Sequence, residues 1–398
     1  MLLTKRVTLI NPSPTLAITA KANKMKAEGI NVIGFGAGEP DFDTPDNIKE
    51  SAKKALDKGM TKYTPTSGTI DLKKSICKKL KQDNNLDYST DQIIVSCGAK
   101  HSIYNIIMTL CDDGDEVLIP SPYWVSYPEM VRVSGGTPVF INTSIETGFK
   151  ITPRQLKEHI TKKTKLFILN SPSNPTGMVY SEQELKQISD ILCSHKIYCI
   201  SDEIYEKIMY DNNKHTSIAS FNDTIKNLTL VVNGVSKSYS MTGWRIGYAA
   251  GPREIIQAMS NLQDHSTSNP TSIAQVATIE ALDGPQSELN KMLAAFTQRR
   301  EFIVNSINKI TGLHCIKPEG AFYVFVNISG ILNKKINNIL IDSSMKLTEI
   351  LLEHAKVAVV PGGVFGNDNY IRLSYATSME NIKEGLNRID QFLNQNEK

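Results

Sequence analysis

The sequence predicts an α/β protein in which helices cover a mostly parallel sheet, with a smaller α+β domain attached. Three observations lead to this fold class. Short apolar segments alternate with amphipathic helical segments through the middle of the chain. These apolar segments carry few polar residues on either face, as strands do when a sheet is buried on both sides. Beyond about residue 285 the alternation gives way to a long helix and separate strands, which is typical of an α+β unit.

The elements of the first part follow from periodicity and from the residues that end each segment. Residues 46–59 form a predicted helix that Gly59 ends, with Asp46 as a candidate cap, and residues 68–84 form a second helix. Turn residues bound the predicted strands Ile93–Ser96, Glu116–Ile119, Val139–Asn142, Leu166–Asn170, Tyr198–Ser201 and Leu228–Val232. Helical periodicity covers the intervening segments 101–111, 123–134 and 181–194.

The remaining elements form the predicted second domain. They are a helix over 286–310, strands over Phe322–Val326, Val357–Val360 and Tyr370–Tyr375, and a helix over 379–394. The first forty residues contain one helix, 15–28, and a strand that ends in GFGAGEP, and they are expected to join the C-terminal part. We therefore predict a large domain of residues 46–285 and a small domain of residues 1–45 and 286–398.

Composition and charge exclude several classes of protein. Of the 398 residues, 40% are hydrophobic and 21% are charged, which excludes wholesale disorder. The N-terminus lacks the apolar core of a signal peptide and no segment approaches eighteen consecutive apolar residues, so we expect a cytoplasmic protein without membrane association. The net charge of +3 is too small to indicate a nucleic-acid partner.

The six cysteines are predicted to be free thiols. They form no CxxC pair, and no cysteine–histidine cluster has the spacing of zinc ligands, so no metal site is predicted.

Polar residues follow several of the predicted strands, at the edge where ligands bind in an open parallel sheet. Considered alone, each has an ordinary explanation, such as a helix cap for Asp202, a surface amine for Lys237 or a tight turn for Gly98. The set consists of Gly98, Ala99, Lys100, Asn174, Asp202, Tyr205, Ser236, Lys237 and Arg245.

Together these residues supply the groups that pyridoxal 5'-phosphate requires. The amine of Lys237 can form a Schiff base with the cofactor aldehyde, and Asp202 can hold the pyridine nitrogen protonated so that the ring acts as an electron sink. Helix N-terminal amides and the Arg245 guanidinium suit a phosphate. Asn174 and Tyr205 can hydrogen-bond the phenolic oxygen of the ring and lower the pKa of the imine.

The chain resembles the class I aminotransferases of the aspartate aminotransferase family, which are fold type I pyridoxal phosphate enzymes. Eight motifs carry the resemblance in the family's order along nearly the whole chain. They are GAGEPDFDTP (36–45), KYTPTSG (62–68), SPYWVSYPEM (121–130), NSPSNPTG (170–177), SDEIYE (201–206), SKSYSMTGWRIGYAAGP (236–252), PEGAFYVF (318–325) and IRLSYATS (371–378). The branch it resembles includes the bifunctional aspartate/prephenate aminotransferases.

The resemblance implies a role for each matching position. Lys237 would be the Schiff-base lysine and proton shuttle, Asp202 the partner of the pyridinium, and Tyr205 and Asn174 the partners of the phenolic oxygen. Trp124 would stack on the ring and contact substrate. The residues at the family's phosphate-binding positions are Gly98, Ala99, Lys100, Ser236 and Arg245. Tyr63 matches a tyrosine that reaches the phosphate of a neighbouring subunit, which implies a homodimer with shared active sites.

Arg372 is the candidate for binding the substrate's α-carboxylate. In YIRLSYAT, Arg372 points away from the strand face that carries Ile371 and Leu373, and an arginine on an exposed face is the ordinary alternative. The resemblance makes Arg372 a bidentate carboxylate clamp, with Gly38 allowing a close backbone approach beside it.

The part of the substrate away from the α-carbon is less well defined. A dicarboxylic substrate needs a second cation, for which the resemblance suggests Lys100, although Lys100 could equally be a solvated residue at a helix start. Thr15 occupies a position that matters for prephenate in plant relatives. Many bacterial members carry a lysine before the first Pro-Ser, where this chain has Asn11.

The sequence therefore predicts an aminotransferase that acts by ping-pong half reactions on amino acids and 2-keto acids. The expected reaction moves the amino group of L-aspartate to 2-oxoglutarate. The alternatives are a prephenate/glutamate, aromatic or alanine-type aminotransferase, a β-lyase on the same fold, and a non-enzymatic ligand sensor.

Overall fold

The structure, a computed structural model, describes residues 3–11 and 14–394, without the side chains of residues 5, 6 and 14–16. The helices are α1 (Lys5–Thr8), α2 (Pro14–Ala27), α3 (Asp46–Asp57), α4 (Ile70–Asn84), α5 (Ala99–Leu110), α6 (Ser126–Ser134), α7 (Pro153–His159), α8 (Glu182–His195), α9 (Asp223–Leu228), α10 (Arg253–Asp264), α11 (Ser272–Asp283), α12 (Ser287–Ile307), α13 (Ser344–Ile350) and α14 (Met379–Asn394). The strands are β1 (Ile33–Gly34), β2 (Ile93–Ser96), β3 (Glu116–Ser121), β4 (Thr137–Asn142), β5 (Thr164–Asn170), β6 (Tyr198–Asp202), β7 (Thr229–Gly234), β8 (Gly247–Ala250), β9 (Tyr323–Asn327), β10 (Lys335–Ile336), β11 (Ile339–Leu340), β12 (Val357–Ala358), β13 (Val360–Pro361) and β14 (Tyr370–Ser374).

The central sheet has seven strands in the order β2-β8-β7-β6-β5-β3-β4. Strands β3, β4, β5, β6 and β7 are all parallel to one another. Strand β8 is antiparallel to both of its neighbours, β2 and β7. Successive side chains of β2 face opposite layers: Ile93 and Val95 pack with α3, α4 and α11, and Ile94 packs with α5 and α10. The predicted α/β fold with a mostly parallel, doubly covered sheet is confirmed.

A second, smaller sheet lies in the C-terminal part of the chain. Strands β13, β14 and β9 form an antiparallel sheet in that order, and β1 from the N-terminal segment pairs in parallel with β12. The predicted single strand Val357–Val360 is wrong, because residues 357–358 pair with β1 whereas residues 360–361 pair with β14. The two domain boundaries given above stay a prediction.

Some predicted helix ends differ from the structure. Asp46 is the first helical residue rather than the cap, and its carboxylate pairs with Lys49 at 2.7 Å. The helix predicted from residue 123 begins at Ser126, and the helix predicted to residue 310 ends at Ile307. Within the described ranges, we find no helix that is both long enough and apolar enough to cross a bilayer.

Candidate active site

A cavity of about 910 Å³ opens at the carboxyl ends of β5, β6 and β7. Residues that follow parallel strands lie at the same edge of a sheet. Polar residues that directly follow the predicted strands therefore meet in this cavity. The predicted site residues that line the cavity are Gly38, Ala99, Lys100, Trp124, Asn174, Asp202, Tyr205, Ser236, Lys237, Arg245 and Arg372.

The other three predicted site residues are not among the residues that line this cavity in the described part of the structure. Gly98 lies directly before α5, against the side chain of Arg245. Tyr63 is 91% exposed and lies outside the cavity of its own chain. The side chain of Thr15 falls outside the described part of the structure.

Lys237 projects into the cavity from the segment after β7. Its Nζ donates a hydrogen bond to the carbonyl oxygen of Gly38, 2.6 Å away. Burial lowers the pKa of Lys237 to about 8, and the guanidinium groups of Arg245 and Arg372 contribute to the shift. An amine with this pKa is partly uncharged near neutral pH, so it can act as a nucleophile and as a base.

Asp202 ends β6 and is buried at the wall of the cavity. The hydroxyl group of Tyr127 donates to Oδ2 at 2.6 Å, and the backbone N–H of Ile204 donates to Oδ1 at 3.3 Å. Burial raises the pKa of Asp202 to about 6, against the lowering effect of these two hydrogen bonds. The carboxyl group is therefore charged above about pH 6, as a partner for a protonated ring nitrogen must be.

The start of α5 forms a cradle for an anion. Gly98 has φ +92°, and a Cβ atom there would lie 2.3 Å from a guanidinium nitrogen of Arg245. Glycine therefore allows the helix start and the guanidinium group to lie side by side. The first N–H groups of the helix, including those of Ala99 and Lys100, have no acceptor within the helix, so they are available to an anion bound at this helix start.

The other side chains of the cradle are held in place by the backbone. The Arg245 guanidinium donates to the carbonyl oxygens of Thr242 at 2.7 Å and Cys97 at 3.1 Å. Ser236 is buried and lines the same cavity. A guanidinium group, a hydroxyl group and helix N-terminal amides are a donor set that suits a phosphate.

Arg372 lies on β14, where its side chain is only 4% exposed, so the alternative of a solvated arginine is wrong. It donates to Asn174 Oδ1 and to the carbonyl oxygen of Gly36, both at 2.9 Å. Its guanidinium group also packs over the rings of Tyr323 and Phe365, at 4.5 and 5.0 Å. The Nε atom is buried without a hydrogen-bond partner among the described residues, so it is available to donate to an acceptor such as a carboxylate.

The two predicted partners of a phenolic oxygen lie near Arg372. The hydroxyl groups of Tyr205 and Tyr323 are 2.8 Å apart, and both side chains are buried. Burial raises the pKa of Tyr205 well above its usual value, so this hydroxyl group keeps its proton. Asn174 is also buried and uses its Oδ1 to accept from Arg372.

Trp124 and Lys100 form one wall of the cavity. The Lys100 ammonium group lies 4.9 Å from the centre of the indole ring, and the indole meets Tyr127 edge to face. Lys100 is an exposed residue, but partial desolvation in the cavity, assisted by the charge of Arg245, lowers its pKa. A cation held against an aromatic wall is suited to a second acidic group on a ligand.

Sequence reasoning missed several residues of this site. Tyr127 contacts Asp202 directly, and Tyr323 contacts both Tyr205 and Arg372. Glu39 and Phe365 also line the cavity. Tyr127 and Tyr323 lie within the motifs SPYWVSYPEM and PEGAFYVF, which the sequence analysis had already quoted. Their position after a strand or within a motif does not show which of the several aromatic residues there faces the cavity.

The cavity fits pyridoxal 5'-phosphate at each end. The glycine-lined cradle at α5 matches its phosphate, the anionic Asp202 matches its ring nitrogen, and the low-pKa amine of Lys237 matches its aldehyde. The unpartnered Nε of Arg372 matches the carboxylate of an amino-acid substrate. The fold and the cavity thus define a fold type I pyridoxal phosphate enzyme.

The chain belongs to the aminotransferase class I and II family, whose model matches residues 30–389. Enzymes of this family depend on pyridoxal 5'-phosphate, which is the cofactor of this protein, and the predicted family and cofactor are confirmed. The family model spans every lining residue discussed above.

Individual relatives match along almost their whole length. The chain is 50% identical to an aspartate aminotransferase of Bacillus subtilis over 393 residues, which cover 99% of each chain. It is 48% identical to an aspartate/prephenate aminotransferase of Nitrosomonas europaea, covering 99% of this chain and all of the relative. The crystal structure of an aspartate aminotransferase from Rhizobium meliloti superimposes with a TM-score of 0.96 at 45% identity, covering 99% of both chains. A Thermus thermophilus aspartate aminotransferase with maleate gives 0.93 at 40% identity, covering 99% and 100%.

Proposed function

We propose that this enzyme moves the amino group of L-aspartate to 2-oxoglutarate, which yields oxaloacetate and L-glutamate in two successive half reactions. Relatives that share about half of its residues over their full length carry the name aspartate aminotransferase. The observation that carries the proposal is the pairing, in one cavity, of the Lys237 amine with two cationic side chains, the buried Arg372 and the exposed Lys100. A dicarboxylic amino acid needs such a pair of cations flanking the reactive nitrogen.

We assign the cofactor to residues on both sides of the cavity. Asp202 would hold the ring nitrogen, Tyr205 and Asn174 the phenolic oxygen, and Trp124 the ring face. The phosphate would take the helix amides of Ala99 and Lys100 with the side chains of Ser236 and Arg245. When bound, pyridoxal phosphate supplies an electron sink that stabilises negative charge at the α-carbon of the substrate.

Lys237 would hold the cofactor before substrate arrives and move the proton afterwards. Its pKa of about 8 means that Nζ loses its charge more readily than an exposed lysine does, so it can accept a proton from the substrate α-carbon. The same nitrogen can then return that proton on the other side of the reacting bond. The carbonyl oxygen of Gly38, 2.6 Å from Nζ, orients the amine.

Arg372 would fix the α-carboxylate of the substrate. Asn174 and the carbonyl oxygen of Gly36 already hold two of its guanidinium nitrogens, so the fork is oriented before substrate binds. Burial of the guanidinium group strengthens its attraction for a carboxylate, since little water competes. Lys100, at the Trp124 wall, would take the second carboxylate of aspartate or 2-oxoglutarate.

A second candidate substrate pair is prephenate with glutamate. It is favoured by the Nitrosomonas europaea relative, which is named for both aspartate and prephenate. Asn11 lines the cavity entrance and contacts the Glu129 carboxylate through its backbone N–H at 3.1 Å and its Nδ2 at 3.3 Å. An uncharged residue at this position offers no additional cation for the acidic groups of prephenate, so aspartate is the favoured donor.

We also propose a cytoplasmic homodimer in which Tyr63 contributes to the partner's site. Tyr63 is 91% exposed, and Met60 and Ile70, which are close to it in the sequence, are also exposed apolar residues that a second copy of the chain would cover. The six cysteines are free, as is usual in a reducing compartment.

The test is to mix the cofactor-loaded protein with single amino acids and follow its visible absorbance. Aspartate and glutamate should bleach the cofactor band faster than alanine or phenylalanine, and oxaloacetate should form from aspartate. Lys237→Ala should abolish turnover while the protein stays folded, and the exposed-lysine control Lys157→Ala should behave as wild type. Turnover in Lys237→Ala, or a faster reaction with phenylalanine than with aspartate, would contradict the proposal.

A further inference from the structure

Five buried polar side chains form a cluster behind the strand end that carries Asp202, outside the cavity. This buried ion cluster consists of Lys79, Asn84, Glu203, Glu206 and His215. Lys79 and Asn84 come from α4, the two glutamates from the turn after β6, and His215 from the segment before Ile218. The two glutamates are 1% and 7% exposed, so their charges need partners within the protein.

One half of the cluster surrounds Glu206. The Lys79 ammonium group forms an ion pair with its carboxylate, and Asn84 Nδ2 donates to it at 2.7 Å. Lys79 also donates to Asn84 Oδ1 at 2.7 Å, so the three side chains hold one another. Burial raises the pKa of Glu206, but Lys79 and His215 outweigh it and bring the pKa to about 2.

The other half of the cluster surrounds Glu203. Its carboxylate lies 2.9 Å from His215 Nε2 and accepts from the hydroxyl groups of Ser201 at 2.8 Å and Ser217 at 2.5 Å. Burial lowers the pKa of His215, but Glu203 and Glu206 outweigh it, so the net pKa of this imidazole is raised. A protonated His215 with Lys79 balances the two glutamates.

The cluster and the cavity share one short turn of the backbone. Asp202 and Tyr205 face the cavity, while their sequence neighbours Glu203 and Glu206 face the cluster. The Glu203 N–H donates to the carbonyl oxygen of Val232 on β7, and the Glu206 N–H donates to that of Glu203, both at 2.9 Å. Anchoring the two glutamates therefore anchors the cavity residue directly before each of them, Asp202 before Glu203 and Tyr205 before Glu206.

The cluster also acts on the site through its charge. Glu203 is one of the groups that raise the pKa of Asp202, so the cation that balances Glu203 affects the carboxyl group in the cavity. The remaining titratable groups that face the cluster are Asp83, Tyr88, Cys199, Lys207, Tyr239 and Tyr248. Asp83 pairs with Lys207 at 2.8 Å, so this second pair adds no net charge.

We propose that the buried ion cluster is a positioning element of the active site, in which His215 supplies the positive charge that balances Glu203 behind Asp202. The inference rests on the proposed function in one respect, namely that the cofactor binds at Lys237. Three members of the cluster offer metal-ligand atoms within 4.8 Å of one another, but Lys79 already neutralises Glu206, which favours internal balance over a bound cation.

The test uses the pH dependence of the visible absorbance of cofactor-loaded protein, which reports the protonation of the nitrogen at position 237. His215→Gln leaves one surplus negative charge behind Asp202, so the midpoint of the absorbance change should rise by about 0.5 pH unit. Lys79→Gln removes a positive charge from the other half of the cluster and should move the midpoint in the same direction. The double variant His215→Gln/Glu203→Gln restores neutrality and should return the midpoint to within about 0.2 unit of wild type.

The controls separate charge from packing. His195→Gln, a surface histidine at the end of α8, should leave the midpoint unchanged. The inference would be overturned if the midpoint did not move in either single variant, or if it moved further in the double variant than in His215→Gln. The double variant cancels the change in charge but adds a second change in packing, so a larger shift would indicate packing. If His215→Gln does not fold, Lys79→Gln and the double variant decide the matter. If the wild-type protein takes up no cofactor, both the proposed function and this inference are overturned. If aspartate bleaches the cofactor band but the midpoint does not move in the single variants, only the inference is overturned.

Discussion

The hydrogen bond from Tyr127 to Asp202 gives the most specific prediction about pH dependence. Asp202 must be anionic to hold a protonated ring nitrogen, yet burial raises its pKa to about 6. The Tyr127 hydroxyl group, 2.6 Å from Oδ2, is the largest contribution that opposes this rise. Tyr127→Phe removes that donor and little else, because the ring itself stays in place against Trp124.

The size of the effect follows from the geometry. A hydrogen bond to a charged group contributes about 1.5–3 kcal/mol, and one pKa unit corresponds to about 1.4 kcal/mol. The pKa of Asp202 should therefore rise by about 1–2 units in Tyr127→Phe. Since the carboxyl group then needs a higher pH to become charged, activity should be lost on the acid side first, and the variant should approach wild type as the pH rises.

The assay is the pH profile of kcat/KM for aspartate with cofactor-loaded protein. The acid limb should move upward by about one unit in Tyr127→Phe, with a loss at pH 6 about tenfold larger than at pH 8. Tyr104→Phe, which removes the hydroxyl of a half-buried tyrosine on α5, is the matched control and should leave the limb in place. A loss of equal size at every pH would show that Tyr127 does not act through the charge of Asp202.

Three further predictions follow from the cavity. Arg372→Lys keeps the charge but loses the fork and its buried Nε, so kcat/KM for aspartate should fall by about 100-fold or more, and a change below threefold would count against the carboxylate clamp. Gly98→Ala places a methyl group against Arg245 at a positive φ, so cofactor affinity measured by absorbance titration should fall by about tenfold, and unchanged affinity would show that the cradle is elsewhere. Lys100→Met should lower kcat/KM for aspartate by about tenfold while leaving that for alanine unchanged, whereas an equal loss for both would assign Lys100 to the cofactor rather than to the distal carboxylate.

The sequence predicted six of the seven strands of the central sheet, because their signals are local, and missed only β8 (Gly247–Ala250). Fully apolar strands separated by helices leave little choice of architecture, and the residues after β5, β6 and β7 meet at one edge by topology alone. Asp202 and Lys237 could therefore be assigned to one site from the order of the strands, even though they lie far apart in the sequence.

The contacts between distant elements could not be predicted in this way. Tyr127 reaches Asp202 from α6, and Tyr323 reaches Tyr205 from the start of β9, in each case through packing that no spacing in the sequence encodes. The burial of Arg372 likewise depends on the rings of Tyr323 and Phe365 stacking against it.

Errors at element ends have the same origin. The apolar run Val357–Val360 reads as one strand because strand patterning contains no information about partners. In the structure its first half pairs with the N-terminal strand β1 and its second half with β14, so the chain changes sheets at Val359. Some predicted helix ends differ from the observed ones by two or three residues for a related reason, because tertiary contacts decide whether the terminal turn of a helix forms.

The central claim is that the cofactor is attached to Lys237, and chemical trapping tests it most directly. Cofactor-loaded protein is reduced with borohydride, digested, and examined by peptide mass spectrometry. A stable pyridoxyl group should appear on the peptide that contains Lys237, and it should be absent from that peptide when aspartate is added before reduction. A pyridoxyl group on Lys100 or another lysine, or no modified peptide at all, would contradict the central claim.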